Sequence, residues 1–243
     1  ARLHSGSMEP NFTKIVRVND VGLFVRQYGT NGPDLLLIHG GPDWDHSYFL
    51  PYILPLAKRA RLTLFDVRGC GRSDRCSSSD GYSIQQVAKD VGQLINELGL
   101  SEPYVLGFSW GGRVLMEFLA SQPKISGAIL ASTTAYTDYD SELSDWNEFQ
   151  QRNEQINEDV KLLFSSDVSA KEKTARLAQL TSPLDIWDLD LLPEVHQTLD
   201  RISFSGEWMN AWQKGALRSS EFDYPNVVSN AEVPVLLLHG EMD

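Results

Sequence analysis

Short, unbroken apolar runs punctuate the first half of this chain, and stretches with apolar residues at helical spacing separate them. A strand buried on both faces reads as continuous Leu, Ile and Val rather than as an alternation. Asp34–Ile38, Leu62–Phe65, Tyr104–Leu106, Ile125–Ala131 and Val233–His239 fit that description and predict buried parallel strands. Ile15–Val18 and Leu23–Tyr28 flank Asn19-Asp20 and predict an antiparallel hairpin. Between Ser83 and about Leu98, residues Ile84, Val87, Val91, Leu94 and Ile95 recur at helical spacing. Ser83 can cap that helix, and Gly99 ends it. Arg113–Ala120 is a second helix, and Tyr48–Arg59 a third that Pro51 and Pro55 should break or kink. Strands alternating with helices over 34–132 predict a mostly parallel α/β sheet with helices on both faces.

The pattern changes at Ala135. From there to Asn230 the apolar residues keep helical spacing (Val160, Leu162, Leu163, Phe164, then Leu177 and Leu180), with Pro183 and Pro193 as breaks. A further strand follows. Residues 135–230 therefore read as a helical insertion, a cap, within a core built from 8–134 and 231–243. Residues 1–7 read as a cloning remnant ahead of Met8 and are set aside.

Composition narrows the function classes. The insertion holds 18 Asp/Glu against 8 Lys/Arg and so carries most of the net charge of −12. That balance argues against nucleic acid as a partner. No apolar run approaches the length of a membrane span, so no membrane partner is expected. Cys70 and Cys76 are the only cysteines. They imply no disulfide framework and a cytoplasmic default. No His or Cys pair has metal-ligand spacing, so neither metal nor cofactor is expected. Oligomeric state is left open.

The chemistry gathers at strand ends. Gly107-Phe108-Ser109-Trp110-Gly111 follows one apolar run and precedes a helix, the context in which a serine sits on a sharp, exposed turn. Ser109 is the expected nucleophile. The residue after it supplies one amide to a tetrahedral oxyanion, which is Trp110. The second amide should come from His39-Gly40-Gly41-Pro42; Pro42 has no N–H, so Gly41 is expected. His39 reads as a loop anchor, Arg68 as a tie between loops, and Cys70 as a packed residue. In the insertion, Trp146, Trp187, Trp208 and Trp212 are possible pocket walls. The acidic excess of the insertion fits a substrate bearing an ammonium group.

His39-Gly-Gly-Pro42, Asp66-x-Arg68-Gly-x-Gly71-x-Ser73, Gly107-x-Ser109-x-Gly111 and His239-Gly-x-x-Asp243 follow in an order that resembles the α/β-hydrolase family. Within it, the motifs are most similar to the proline iminopeptidases, although Asp43 and Phe108 stand where those enzymes usually have glycine. The resemblance implies an α/β-hydrolase fold and acyl-enzyme chemistry on a small-molecule or short-peptide substrate. It makes Asp243 the triad acid, and cap carboxylates the holders of a free amino terminus, with Glu207, beside Trp208, the one expected to meet that ammonium group. It also implies a histidine after the acid, and none follows Asp243. The favoured expectation is a truncated, cleaved or partly ordered piece of a hydrolase, its C-terminal histidine-bearing segment absent. The alternatives are a carboxylesterase, a non-catalytic ligand binder, and an unconventional base at His46 or His196. Dehalogenases and epoxide hydrolases of this fold carry an aspartate at the elbow, and Ser109 speaks against their chemistry.

Overall fold

The computed structural model describes residues 8–136, 146–217 and 220–241. Seven strands form one sheet: β1 (Phe12–Val18), β2 (Val21–Tyr28), β3 (Asp34–Ile38), β4 (Arg61–Phe65), β5 (Tyr104–Phe108), β6 (Gly127–Ala131) and β7 (Val235–Leu238). Their order is β1-β2-β4-β3-β5-β6-β7. β1 and β2 make the expected hairpin, closed by Val18 opposite Val21, and β2 also runs antiparallel to β4. From β4 to β7 every pairing is parallel. The chain steps outward from β3 to β4, then crosses back through α1 (Ile84–Glu97) to lay β5 on the other side of β3. Strand order therefore reverses between β3 and β5, the crevice where open α/β sheets bind ligands.

The apolar runs sort by parity onto two faces. Leu36, Ile38 and Val105 belong to one core cluster, with Val87, Val91 and Leu94 of α1 and Val114, Leu115 and Phe118 of α2 (Trp110–Leu119). Leu35, Leu37, Leu62, Leu64 and Leu106 point the other way, onto Leu54 and Ala57. This period of two on a strand buried on both sides is why those runs carry no polar interruptions. Ser83 caps α1 by accepting from the Gln86 amide at 3.1 Å, and Gly99 leaves it with φ 62°.

Two expectations need correction. Residues 48–59 form no α-helix; they make two 3-10 turns, His46–Phe49 and Leu54–Lys58. Pro51 and Pro55 remove the amides that a continuous helix there would need. Among the described residues, these turns pack Leu54 and Ala57 onto the second face. The last strand is also not buried: Leu236, Leu237 and Leu238 are 52–62% exposed. Among the described residues β7 comes last in the strand order and pairs with β6.

Between β6 and β7 lie α3 (Asn147–Ser165), α4 (Ala170–Thr181), α5 (Leu192–Leu199), α6 (Glu207–Gln213) and α7 (Tyr224–Ser229). Their shared core is small: Ala178, Leu199, Ile202 and Phe204, against which Trp44 and Tyr48 pack. No described helix is long and apolar enough to cross a membrane.

Candidate active site

Backbone register brings the two decisive loops together. Ile38 pairs with Gly107 across the β3–β5 seam, so the chain leaving β3 and the chain leaving β5 emerge side by side. Ser109 follows β5 with φ 52° and ψ −121°, a left-handed turn that costs a non-glycine residue about 1–3 kcal/mol. Its amide donates to Ala131 O at 2.9 Å, and its carbonyl accepts from Gly112 N and from Thr133 Oγ1 at 2.7 Å. Those bonds hold the turn while the residue itself stays exposed. The approach is too close for side chains. A Cβ on Gly111 would stand 2.4 Å from Ile38 O, one on Gly107 the same distance from Gly111 O, and one on Gly40 2.9 Å from Ser109 Cβ.

Gly41 has φ 58° and lies against the Trp44 indole. Neither its amide nor that of Trp110, the first residue of α2, donates to another described residue. The Gly40 amide is different, because it donates to Tyr48 Oη at 2.5 Å. Burial pushes the Tyr48 phenol well above its ordinary pKa, so that oxygen stays protonated. Two rows of rings meet here. Phe108 leans on Tyr48 and Phe49, while Trp110 meets Trp208 edge to face at 5.0 Å.

Trp208 was expected as a pocket wall, and its surroundings give it a different place. Only 3% of it is exposed; its indole N–H donates to Arg68 O at 2.9 Å, and Tyr82 covers another edge. With its polar tip and ring both occupied by protein, it stands behind Trp110. Glu207 is half-buried at the start of α6, with the Tyr82 hydroxyl 3.5 Å away. Trp187 and Trp212 are about half exposed, and Trp146 stacks on Trp187.

Asp43 and Asp45, which sequence reading left without a role, join this loop to the inserted helices. Both are buried. Asp43 accepts from Ser205 Oγ, Trp208 N and Met209 N at 2.7–2.9 Å. Asp45 accepts from Ser203 N at 2.9 Å. Nothing in the local spacing signals these bonds, since the partners lie about 160 residues away.

Arg68 is the loop tie expected of it. It forks onto Asp90 at 2.6 and 2.8 Å and reaches Asp20 and the Gly81 carbonyl. Cys70 is buried, and burial raises its thiol well above the ordinary range, as suits a packed residue.

A family model described as the alpha/beta hydrolase fold matches residues 33–243. The chain belongs to that family. It is 35% identical to the proline iminopeptidase of Lactobacillus delbrueckii subsp. lactis over 111 residues, 44% of this chain and 38% of the relative. It is 34% identical to haloalkane dehalogenase 2 of Mycobacterium bovis over 103 residues, 42% of this chain and 35% of that one. The chain thus spans well under half the length of these curated relatives in the matched region. In fold it is similar to an esterase from Thermogutta terrifontis, with a TM-score of 0.65 and 21% identity over 95% of this chain and 79% of that one.

An α/β hydrolase working through serine needs a proton acceptor beside it. Asp243 lies outside the described residues. His39 is fully buried, with Nδ1 at 2.9 Å from Gly40 O and Nε2 accepting from Val67 N. Those two bonds require the Nδ1-protonated neutral ring, and burial lowers its pKa further. His39 is therefore a loop anchor. His46 is buried with Nδ1 2.5 Å from Asp66 Oδ1, and His196 is exposed on α5 with Nε2 3.0 Å from Ser182 Oγ. Burial opposes ionisation of Asp66, but His46 and the Arg72 amide outweigh it and hold the carboxyl below its usual range. The hydrogen bonds of His39, His46 and His196 thus go to backbone, to Asp66 and to Ser182 rather than to Ser109.

Proposed function

We propose that this chain carries the nucleophile and oxyanion site of a serine hydrolase of the proline iminopeptidase type. One observation carries the reading: Ser109 is exposed on a left-handed turn, beside a loop and a helix start whose Gly41 and Trp110 amides have no described acceptor. In that arrangement Ser109 Oγ attacks a carbonyl carbon as its proton passes to a base. The two amides receive the charge that develops on the carbonyl oxygen, where each donor is worth about 10²–10³ in rate. Collapse expels the amine and leaves an acyl-serine ester, which water hydrolyses. Asp243 is the proposed acid that orients the base; no described histidine is assigned the base itself.

Residues 135–230 are proposed as the cap over this site. Trp208 belongs to the site by backing Trp110, and Glu207 is the carboxylate proposed to meet a substrate ammonium group. The substrate is a small molecule or short peptide with a free amino terminus. A simple acyl ester is the second reading, favoured by the apolar wall of Phe108, Tyr48 and Phe49.

The test uses the full-length protein with a fluorophosphonate probe, then proline-aminoacyl and acyl-ester chromogens. Labelling at Ser109 that Ser109→Ala abolishes, with turnover of the aminoacyl substrate, is the expected result. Turnover of esters alone would move the assignment to the second reading. A protein that neither labels nor turns over either substrate would end the hydrolase proposal.

A further inference from the structure

The loop after β3 carries a carboxylate that does more than its neighbours require. Asp43 has φ 74°, a conformation glycine adopts freely and aspartate does not. It is 2% exposed. A buried charge at a strained position persists only where its partners compensate it. Those partners all lie in one place. Asp43 Oδ1 accepts from Ser205 Oγ at 2.7 Å and Trp208 N at 2.9 Å, and Oδ2 from Met209 N at 2.8 Å. The Asp43 carbonyl takes the Ser205 amide at 2.9 Å.

Trp208 and Met209 are the second and third residues of α6, whose amides have no partner inside the helix. The residue before α6 is Gly206, which has no side chain to cap them. Asp43 supplies that cap from a different loop, 165 residues away along the chain. The same segment reaches both oxyanion donors. Gly41 precedes Asp43 by two residues, with Pro42 restricting the backbone between them, and Trp44 packs on Gly41 and against Phe204 at 5.6 Å. Trp110 bears on Trp208.

We propose that Asp43 is a positioning residue: by clasping residues 205–209 it holds the Gly41 amide in place opposite Ser109, so that oxyanion stabilisation depends on α6 being docked. This rests on Gly41 and Trp110 being the oxyanion donors. It predicts that the cap sets the rate of the chemical step as well as choosing the substrate.

The test compares full-length wild type with Asp43→Gly, Asp43→Asn and Ser205→Ala, using an aryl ester and whichever aminoacyl substrate wild type accepts. Asp43→Gly removes the carboxylate while easing the left-handed backbone. An ångström of misplacement costs on the order of 10²-fold in rate. The expected result is a kcat lower by about ten- to a hundredfold, KM within about twofold, and faster amide exchange over 39–44. Asp43→Asn should behave similarly, because its NH2 would face an amide donor. Ser205→Ala removes one of the three carboxylate contacts, is the variant least disturbing to folding, and should lower kcat by about two- to threefold.

An active wild type whose Asp43→Gly and Ser205→Ala variants keep its kcat would overturn the clasp alone. So would a loss confined to KM or to melting temperature. A wild type that neither labels nor hydrolyses would overturn the hydrolase reading and this inference with it.

Discussion

The end of the sheet and the helices inserted before β7 are built on different physics, although they meet at one site. At the sheet, backbone packs against backbone. Gly107, Gly111 and Gly40 let two strand ends and a helix start come within van der Waals range, above a large apolar core. Between β6 and β7 the described helices share an apolar cluster of only four buried residues, Ala178, Leu199, Ile202 and Phe204, and buried polar ties stand beside it. Arg152 on α3 donates to the carbonyls of Pro183, Ile186 and Trp187 and pairs with Glu148. Asp43 and Asp45 then fasten the insertion to the β3 loop. Steric fit has little tolerance, whereas polar ties can be undone one at a time. The first region should thus fail globally and the second locally.

Gly111→Ala is the severest probe of that difference. Its Cβ would face Ile38 O and His39 O at 2.4–2.5 Å, and neither backbone can retreat without moving the sheet. A loss of about 3 kcal/mol in urea unfolding is expected, with every exchange-protected amide affected together. A cost below about 1 kcal/mol would show that the elbow has slack.

Arg152→Met should lower stability by about 2 kcal/mol, because three carbonyls lose a charged donor that the methionine cannot replace. Hydrogen exchange should rise over α3 and residues 182–191 and stay unchanged in β3 and β5. Uniform exchange across the sheet would erase the contrast between the regions.

The gentlest probe is pH. His39 has its pKa depressed in the folded protein, first by burial, while Asp66 and Asp45 pull it upward and His46 downward. Below the unfolded pKa of about 6.5 the unfolded chain binds a proton that the folded chain refuses. Stability should therefore fall as pH drops from 7 towards 5, by at most about 1.4 kcal/mol per unit for this one site. Asp66, depressed in the folded state, adds its loss only below about pH 4. Melting temperature followed from pH 7 to 5 checks the slope, and His39→Gln should flatten it. An equal slope in the variant would assign the proton elsewhere.

Much of the sheet could be read directly from the chain. Unbroken apolar runs located β3, β4, β5 and β6, and spaced glycines around Ser109 marked the elbow, because both depend on neighbours in sequence. The 46–59 stretch misled because its apolar residues suit a helix, while its prolines allow only short 3-10 turns. Leu236–Leu238 read as a buried run because they are unbroken and apolar, yet in the described residues they are exposed, and which elements cover a strand's faces is set by tertiary packing rather than by the run itself. Trp208 read as a pocket wall, and only packing shows that it is buried and bears on Trp110 from behind.

What the sequence alone determined is the local stereochemistry: where strands run, where a serine must turn sharply, and where no side chain fits. The tertiary structure decided which distant groups share that space. It put Ile38 beside Gly107, committed both nitrogens of His39 to the backbone, and turned Asp43 from an unexpected residue in a glycine's place into the cap of a helix. Hydrogen-bond partners some 160 residues apart leave no period or spacing behind. Only the folded chain, by bringing them within about 3 Å, can reveal that they belong together.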